Sequence, residues 1–237
     1  MTQSDVIRAL HATWPAAKTQ VRGRVTLRQG LGGGSRVSAA TIAGLLTQQD
    51  LQNAETAMQS AGQNPLFMIL GGDDANDHLL AQAGYLVKDP TVLCRAASGA
   101  LPRLQTGAAT QEWPPTAAQQ ARWAVGGIGP ARLAVMARAA CTKTCLALYV
   151  GDTIAAITFA ACHETIVMIH ALDVAPAFRR QGFGAQLTAA AAAWGQKQGA
   201  ATLALATTRA NTGANALYSS LGMQIVGGYH YRIKPDP

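Results

Sequence analysis

In the second half of the chain, short apolar runs rich in β-branched residues alternate with segments whose apolar positions recur at helical spacing. Leu146 to Val150 and Ile154 to Ala161 read as strands joined by a Gly151-Asp152-Thr153 turn, and a second turn at His163-Glu164 leads into a third, Thr165 to Val174. Pro176 stops that strand because it brings no N–H to a ladder. Gly182 then opens a helix to about Gln198, in which Phe183, Leu187, Ala190 and Trp194 recur at spacings of four, three and four and make one apolar stripe. Thr202 to Thr207 predicts another strand, Gly213 to Leu221 a helix, and Met223 to Val226 with Tyr229 to Ile233 a hairpin around Gly227-Gly228. Two helices, near Ala117 to Ala124 and Ala131 to Ala140, precede this β-β-β-α-β-α-β-β order.

The first half predicts strands at Val25 to Gln29 and Arg36 to Thr41 and a helix near Gln48 to Ser60. From Pro65 to Arg95 it repeats the strand, helix, Leu-x-x-x-x-Gly, hairpin order of Leu203 to Ile233; at an offset of 138 positions Phe67 falls on Leu205, Leu79 on Leu217 and Gly84 on Gly222. The stretch 96–115, with Pro102, Pro114 and Pro115 among small and polar residues, reads as a linker between an N-terminal region, 1–95, and a second domain, 116–237.

Composition narrows the choice of function. A chain of 237 residues, 49% hydrophobic and 13% charged, buries a sizeable core. No apolar run approaches the ~18 residues of a membrane span, and the opening MTQSDVIRALHATWP lacks the apolar stretch of a signal peptide, so a cytoplasmic protein without a membrane partner is expected. Cys94, Cys141, Cys145 and Cys162 are too few and too irregularly spaced for a disulfide framework and read as reduced thiols. Cys141, Cys145, Cys162 and His163 make a poor zinc set, because adjacent strand residues point to opposite faces; no metal is expected. The net charge of +7 is uneven: residues 1–112 hold nine Lys/Arg and eight Asp/Glu, residues 113–237 ten and four. The cations are scattered, without the basic stripe interleaved with aromatics that a nucleic-acid binder shows, so a compact, phosphate-rich ligand explains them better than a polymer.

The segment Ile169 to Gly184, IHALDVAPAFRRQGFG, takes a strand through a glycine-containing turn into a helix, which offers backbone N–H groups and the positive end of a helix dipole to an anion. It lacks the third glycine and the downstream acid of a dinucleotide-binding loop, and no G-x-x-x-x-G-K-[ST] occurs. It resembles instead the acetyl-coenzyme A motif [QR]-x-x-G-x-[GA] of the GNAT superfamily of N-acetyltransferases, met by Arg179, Gly182 and Gly184. L-x-V-x-P at Leu172, Val174 and Pro176 precedes it, and N-x-x-A-x-x-L-Y-x-x-L-G, from Asn211 to Gly222, is similar to the family's second motif.

The resemblance implies a GNAT-like α/β (α+β) fold, a mixed and mostly antiparallel sheet flanked by helices, with a degenerate GNAT-like subdomain in the first half. It implies acetyl-CoA as acyl donor and a primary amine as acceptor, acylated by direct attack in a ternary complex. Backbone groups of Leu172 and Val174 would contact the acetyl and pantetheine portions. Arg179 would add charge, and the amides of Arg180, Gln181, Gly182, Phe183, Gly184 and Ala185 would hold the pyrophosphate. Asn211 and Tyr218 would flank the thioester, with Tyr218 donating a proton to the departing sulfur. I-H-A-L-x-V also looks like the aralkylamine N-acetyltransferases, where the histidine at the position of His170 relays protons; strand alternation would set it on the side of Met168, Leu172 and Val174. A hydrogen-bonded core histidine is the competing reading, Glu164 the alternate base, and Asp173 would face the other way. With few acids in the second half, the acceptor expected is a small amine, amino acid or peptide N-terminus. The first half, which has Leu80 where the second has Tyr218, would wall the acceptor cleft or mediate a homodimer, and nothing in the residues decides between these. A non-catalytic acyl-CoA-binding sensor is the alternative function.

Overall fold

The computed structural model describes residues 1–101 and 109–235. Its first elements are α1 (Gln3–Thr13), β1 (Lys18–Arg22), β2 (Val25–Gln29), α2 (Ser35–Ser38), β3 (Thr41–Ile42), α3 (Gln48–Ser60), β4 (Leu66–Leu70), α4 (Asp74–Gln82) and β5 (Leu86–Ala97). There follow β6 (Thr110–Glu112), α5 (Ala117–Val125), α6 (Pro130–Arg138), β7 (Lys143–Val150), β8 (Thr153–His163), β9 (Ile166–Val174), α7 (Phe183–Lys197), β10 (Thr202–Thr208), α8 (Thr212–Ser220) and β11 (Gln224–Ile233). Contacts divide the chain into unit 1 (Met1–Pro15, Leu93–Thr207, Asn211–Val226) and unit 2 (Ala16–Val92, Thr208–Ala210, Gly227–Pro237).

In unit 1 the strands lie in the order β5-β10-β9-β8-β7-β6; β7, β8 and β9 run antiparallel, and β9 and β10 are parallel. Helix α7 packs on β7, β8 and β9 so closely that a Cβ on Gly195 would stand 2.5 Å from Val167 Cγ1. Helix α1 packs on β8 and β9, with Val6, Ala9, Leu10 and Thr13 buried, and starts with a capping box between Thr2 and Asp5. Residue 170 lies three positions from 167 and therefore faces the other side of the sheet, the side of α1.

In unit 2 a small β1-β2-β3 sheet packs through Val25 and Leu27 on Leu51, Ala54 and Met58 of α3, in a core that includes Phe67, Ile69, Leu80 and Tyr85. Strands β4, β11 and β5 lie side by side there, β11 antiparallel to β4.

The repeat seen in the sequence is structural. At the same offset of 138, α4 (74–82) maps onto α8 (212–220) and the start of β5 (86) onto that of β11 (224). Both helices close with a left-handed glycine, Gly84 (φ +83°) and Gly222 (φ +70°), and the same hydrogen bond, Tyr85 N to Leu80 O and Met223 N to Tyr218 O, each 3.0 Å. The last strand of each repeat begins in one unit and ends in the other: residues 93–97 of β5 belong to unit 1, and residues 227–233 of β11 to unit 2.

Three predicted elements differ. Gly227-Gly228 is no hairpin turn; β11 runs through it unbroken, and Gly228 is needed because a Cβ there would stand 2.5 Å from the Thr91 carbonyl oxygen. Residues 36–41 are not a strand: Ser35–Ser38 is a helical turn whose Ala39 N returns to Ser35 O, leaving only Thr41–Ile42 extended. Strand β1 was not anticipated, because Lys18, Thr19, Gln20, Val21 and Arg22 carry no apolar alternation and all are exposed. Of the segment read as a linker, residues 102–108 lie outside the described residues, Ala96 and Ala97 end β5, and Thr110–Glu112 form β6.

Strand β11 is tied into unit 2 by Asp77 of α4. Its Oδ1 accepts from Arg232 Nε at 2.7 Å and from His230 Nε2 at 2.6 Å, and its Oδ2 accepts from Arg232 Nη2 at 2.8 Å. These bonds, Arg232's first, hold the carboxyl down at about 2. A depressed acid contributes stability above its unfolded pKa of ~3.9 that is lost as pH falls through the folded value. Asp77→Asn is therefore expected to lower stability to urea by about 1–2 kcal/mol at pH 7. The difference from wild type should shrink between about pH 5 and pH 2; a difference that does not change with pH would remove the carboxylate from this role.

Candidate active site

The site begins where two parallel strands part. β9 and β10 pair from Ile166 and Thr202 only as far as Met168 and Ala204, yet β9 continues to Val174 and β10 to Thr208. Beyond Met168, among the described residues, β10 no longer pairs with β9, and a wedge opens.

A break in β9 shapes that wedge. Ala171 is left-handed (φ +54°), and the β8 register slips between Ile157 and Phe159, so that two residues of β9 oppose one of β8. The carbonyls this bulge removes from the ladder are both caught: Thr158 Oγ1 donates to His170 O at 3.0 Å and Trp123 Nε1 to Ala171 O at 2.9 Å. Thr158 and Trp123 are fully buried. Beside Trp123, Arg122 pairs with Asp173, both side chains nearly enclosed. The bulge corrects the expected alternation: His170 and Met168 do not share a face with Leu172 and Val174, because the positive φ at Ala171 resets the phase. Neither the bulge nor the roles of Trp123 and Thr158 was legible, since one extra residue in a strand leaves no mark on composition or spacing.

Past the bulge, Ala175 N donates to Ala155 O at 2.9 Å, and Val174 lies opposite Ala156. Antiparallel pairs alternate between exchanging bonds and turning their backbone groups outward, so the Val174 N–H and C=O face the wedge. Arg179 Nε donates to that carbonyl at 3.1 Å, which draws the following loop over the strand end.

That loop ends in an open helix start. Arg180 (φ +62°) and Gly182 (φ +86°) are both left-handed, and Gly182 is the N-cap of α7, with no side-chain cap and no acid in the first turn. The first intrahelical bond is Gln186 N to Gly182 O, so the amides of Phe183, Gly184 and Ala185 are those a helix start leaves free. Gln181 folds back, its Nε2 donating to Ala177 O at 2.9 Å, and Phe183 packs edge-on against Phe178. Successive amides around alternating left-handed residues, at the positive end of a 15-residue helix and flanked by exposed Arg179 and Arg180, make an anion cradle suited to a diphosphate. Gly184 has a second reason to be glycine: a Cβ there would stand 2.9 Å from Leu217 Cδ2 and 3.8 Å from Val174 Cγ2. Strand end, cradle and α8 therefore converge.

Helix α8 starts at Asn211, whose Oδ1 accepts from Ala214 N at 3.1 Å; the side chain serves as an N-cap. Tyr218, one residue after Leu217, is 6% exposed. Burial, with a smaller contribution from Cys94, pushes its hydroxyl well above the usual tyrosine range, so it stays protonated through neutral pH.

His170 stands apart from this group, on the α1 face. It is buried, stacked on Trp14 with centroids 4.9 Å apart, and its Nε2 lies 2.8 Å from Thr13 Oγ1. The Thr13 hydroxyl gives its one proton to Ala9 O at 2.6 Å, so His170 Nε2 is the donor of that pair. Glu164 occupies the exposed turn before β9; eight strand steps, ~27 Å, separate that end from Val174. Cys145 and Cys162 are buried thiols, pushed up by desolvation to about 12 and about 11. Among the described residues no three His, Cys, Asp or Glu are placed to hold a metal ion, and no helix is long and apolar enough to cross a membrane.

Strands parting beside an uncapped helix start define an acyl-CoA-binding acyltransferase fold, and comparison with known proteins agrees. The model of the acetyltransferase (GNAT) family matches residues 104–223, half of the chain, and the protein belongs to that family. Among solved structures, a GCN5-related N-acetyltransferase from Kribbella flavida is similar over 99% of this chain and 96% of its own (TM-score 0.76, 16% identity). A tandem GNAT protein from the clavulanic acid biosynthesis pathway is similar over 98% and 89% (TM-score 0.61, 11% identity). A GCN5-related N-acetyltransferase from Sphaerobacter thermophilus is similar over 80% and 68% (TM-score 0.61, 14% identity). At these identities the likeness is one of fold. No curated protein sequence matches the chain. The protein is thus an acyltransferase, and its family uses acetyl-CoA as donor.

If Thr158 and Trp123 hold the bulge for this site, Thr158→Val should lower kcat about tenfold while CoA affinity stays within twofold, and Thr158→Ser should restore turnover. Trp123→Phe, which keeps a ring and loses the donor, should act like Thr158→Val. Loss of thermal stability with kcat per folded molecule unchanged would make both residues structural only.

Proposed function

We propose that the chain transfers the acetyl group of acetyl-CoA to a primary amine, a small amine, amino acid or peptide N-terminus, by direct attack within a ternary complex. The observation that carries this reading is the open start of α7 at Gly182, set beside strands that have parted. Amides from Arg180 to Ala185 hold the diphosphate, and Leu172 and Val174 offer backbone groups to the pantetheine arm. Acetyl-CoA supplies a thioester. As the amine nitrogen bonds to the acyl carbon, the outward Val174 N–H stabilises charge on the carbonyl oxygen. When the C–S bond breaks, Tyr218 donates its proton to the sulfur, a role supported by burial that keeps the phenol protonated.

The proton leaving the ammonium is assigned to His170 on the family resemblance alone, since the side chain lies on the α1 face with its Nε2 2.8 Å from Thr13 Oγ1. The first repeat has no equivalent cradle. Helix α3, in the position of α7, begins with a capping box in which Asp50 accepts from Thr47 N at 3.2 Å and from its hydroxyl at 2.7 Å. A carboxylate already occupies the place an anion would take, so one donor binds per chain.

Calorimetry with CoA should find one site per chain, and Gly182→Val, which puts a β-branched residue at φ +86°, should abolish it. Tyr218→Phe should lower kcat at least tenfold, with CoA affinity unchanged, in an assay of free thiol release across a panel of amines. Silence with CoA, or full turnover in the phenylalanine variant, defeats the assignment. His170→Gln should lower kcat without changing CoA affinity; a variant that is only less stable returns His170 to the core.

A further inference from the structure

Unit 2 carries a groove that the acetyl-transfer reading does not use. In the β1-β2 pair, Lys18, Gln20 and Arg22 stand opposite Gln29, Leu27 and Val25, and residues directly opposite share a face. Val25 and Leu27 are buried against α3, so Lys18, Gln20 and Arg22 are on the helix-facing side as well. They are nonetheless exposed, because α3 packs on β2 and does not reach over β1. Between β1 and α3 lies a cavity of about 500 Å³, floored by Leu27 and walled on the helix side by Ala57 and Met58. Arg22 also lines a second cavity of about 310 Å³, beside Asn53 and Ala54.

The chemistry of the larger cavity is one-sided. Lys18, Arg22 and Arg28 line it and no acid does. Arg28 follows Leu27 on β2, so its side chain lies on the opposite face of the sheet, where Nη1 is held by Thr41 Oγ1 at 2.9 Å and by the carbonyls of Thr26 and Ala39; the cations that face the groove are Lys18 and Arg22. Lys18 and Arg22 make no ion pair among the described residues and stand four strand steps, ~13 Å, apart along the rim. Asp50, the acid of the smaller cavity, is engaged by Thr47 and lies 3.7 Å from Arg24, so it does not neutralise this rim. The larger volume is within the range of small-molecule sites, and its apolar floor and cationic rim call for an amphiphilic anion.

We infer that this groove binds a small molecule that pairs an apolar body with a carboxylate, phosphate or sulfonate head, at a site separate from that of the acyl donor. The body lies on Leu27, Ala57 and Met58, and the head is held by the cations of β1. The inference does not depend on acetyl transfer.

The probe is 8-anilinonaphthalene-1-sulfonate, titrated into the full chain at pH 7 and followed by fluorescence. Saturable binding of one molecule per chain is expected. The double variant Lys18→Glu/Arg22→Glu, at exposed positions, should weaken it at least tenfold with unchanged thermal stability, and Met58→Gln should weaken it through the floor. Decanoate and decyl phosphate should displace the probe, and whichever does so at lower concentration names the head group; decanol and inorganic phosphate alone should not. CoA should not displace it, and Gly182→Val should bind it normally. No saturable binding, binding indifferent to the Lys18/Arg22 change, or displacement by CoA would each overturn the inference.

Discussion

Where the backbone of β9 finds hydrogen-bond partners decides where this protein can do chemistry. A buried backbone group left unpaired costs about 1–3 kcal/mol, so a strand that leaves its neighbour must give its orphan groups other partners or turn them toward something that will bind. β9 does both. The two carbonyls exposed by the bulge are taken by Thr158 and Trp123, which fixes the kink. The outward groups of Val174 are left facing the wedge, apart from one bond with Arg179. The same division recurs one element later, where α7 starts without a cap.

The two repeats show how little separates a binding site from a closed helix start. In α3 the N-cap is Thr47 and the third helical residue is Asp50, and each side chain accepts from the other's backbone amide. In α7 the N-cap is glycine in a left-handed turn and the first turn has no acid. Both helices form; only α7 starts without a side-chain cap or a carboxylate at its positive end. The second repeat also has Tyr218 where the first has Leu80, so the open helix start and the tyrosine are missing together from the first repeat.

The second half was legible because its signals are local. Hairpin turns at Gly151 and Glu164, the proline after β9 and the glycine before α7 each act within a few residues, and the strands and helices fall where those residues put them. The glycine turn before α7 is local too: Gly182 is the left-handed N-cap of that helix. What escaped depends on contacts distant in sequence. Gly227-Gly228 has the composition of a turn, yet its purpose is to let Thr91 approach. β1 has no apolar pattern because nothing covers it. His170 could be placed on a strand, but neither its stacking on Trp14 nor the proton direction fixed by Thr13 and Ala9 can be read from spacing.

The end of the first repeat belongs to the unit that holds the candidate site. Residues 93–97 of β5 come from the first repeat but belong to unit 1, where β5 lies beside β10, and α1 from the chain's start covers β8 and β9 in the same unit. Cys94, on that segment, is close enough to Tyr218 to add to the forces that hold its proton. On the proposed mechanism Tyr218 must stay protonated until a thiolate leaves, which needs an apolar, enclosed setting. Part of that enclosure is supplied by a strand whose own repeat has Leu80 at the tyrosine's position.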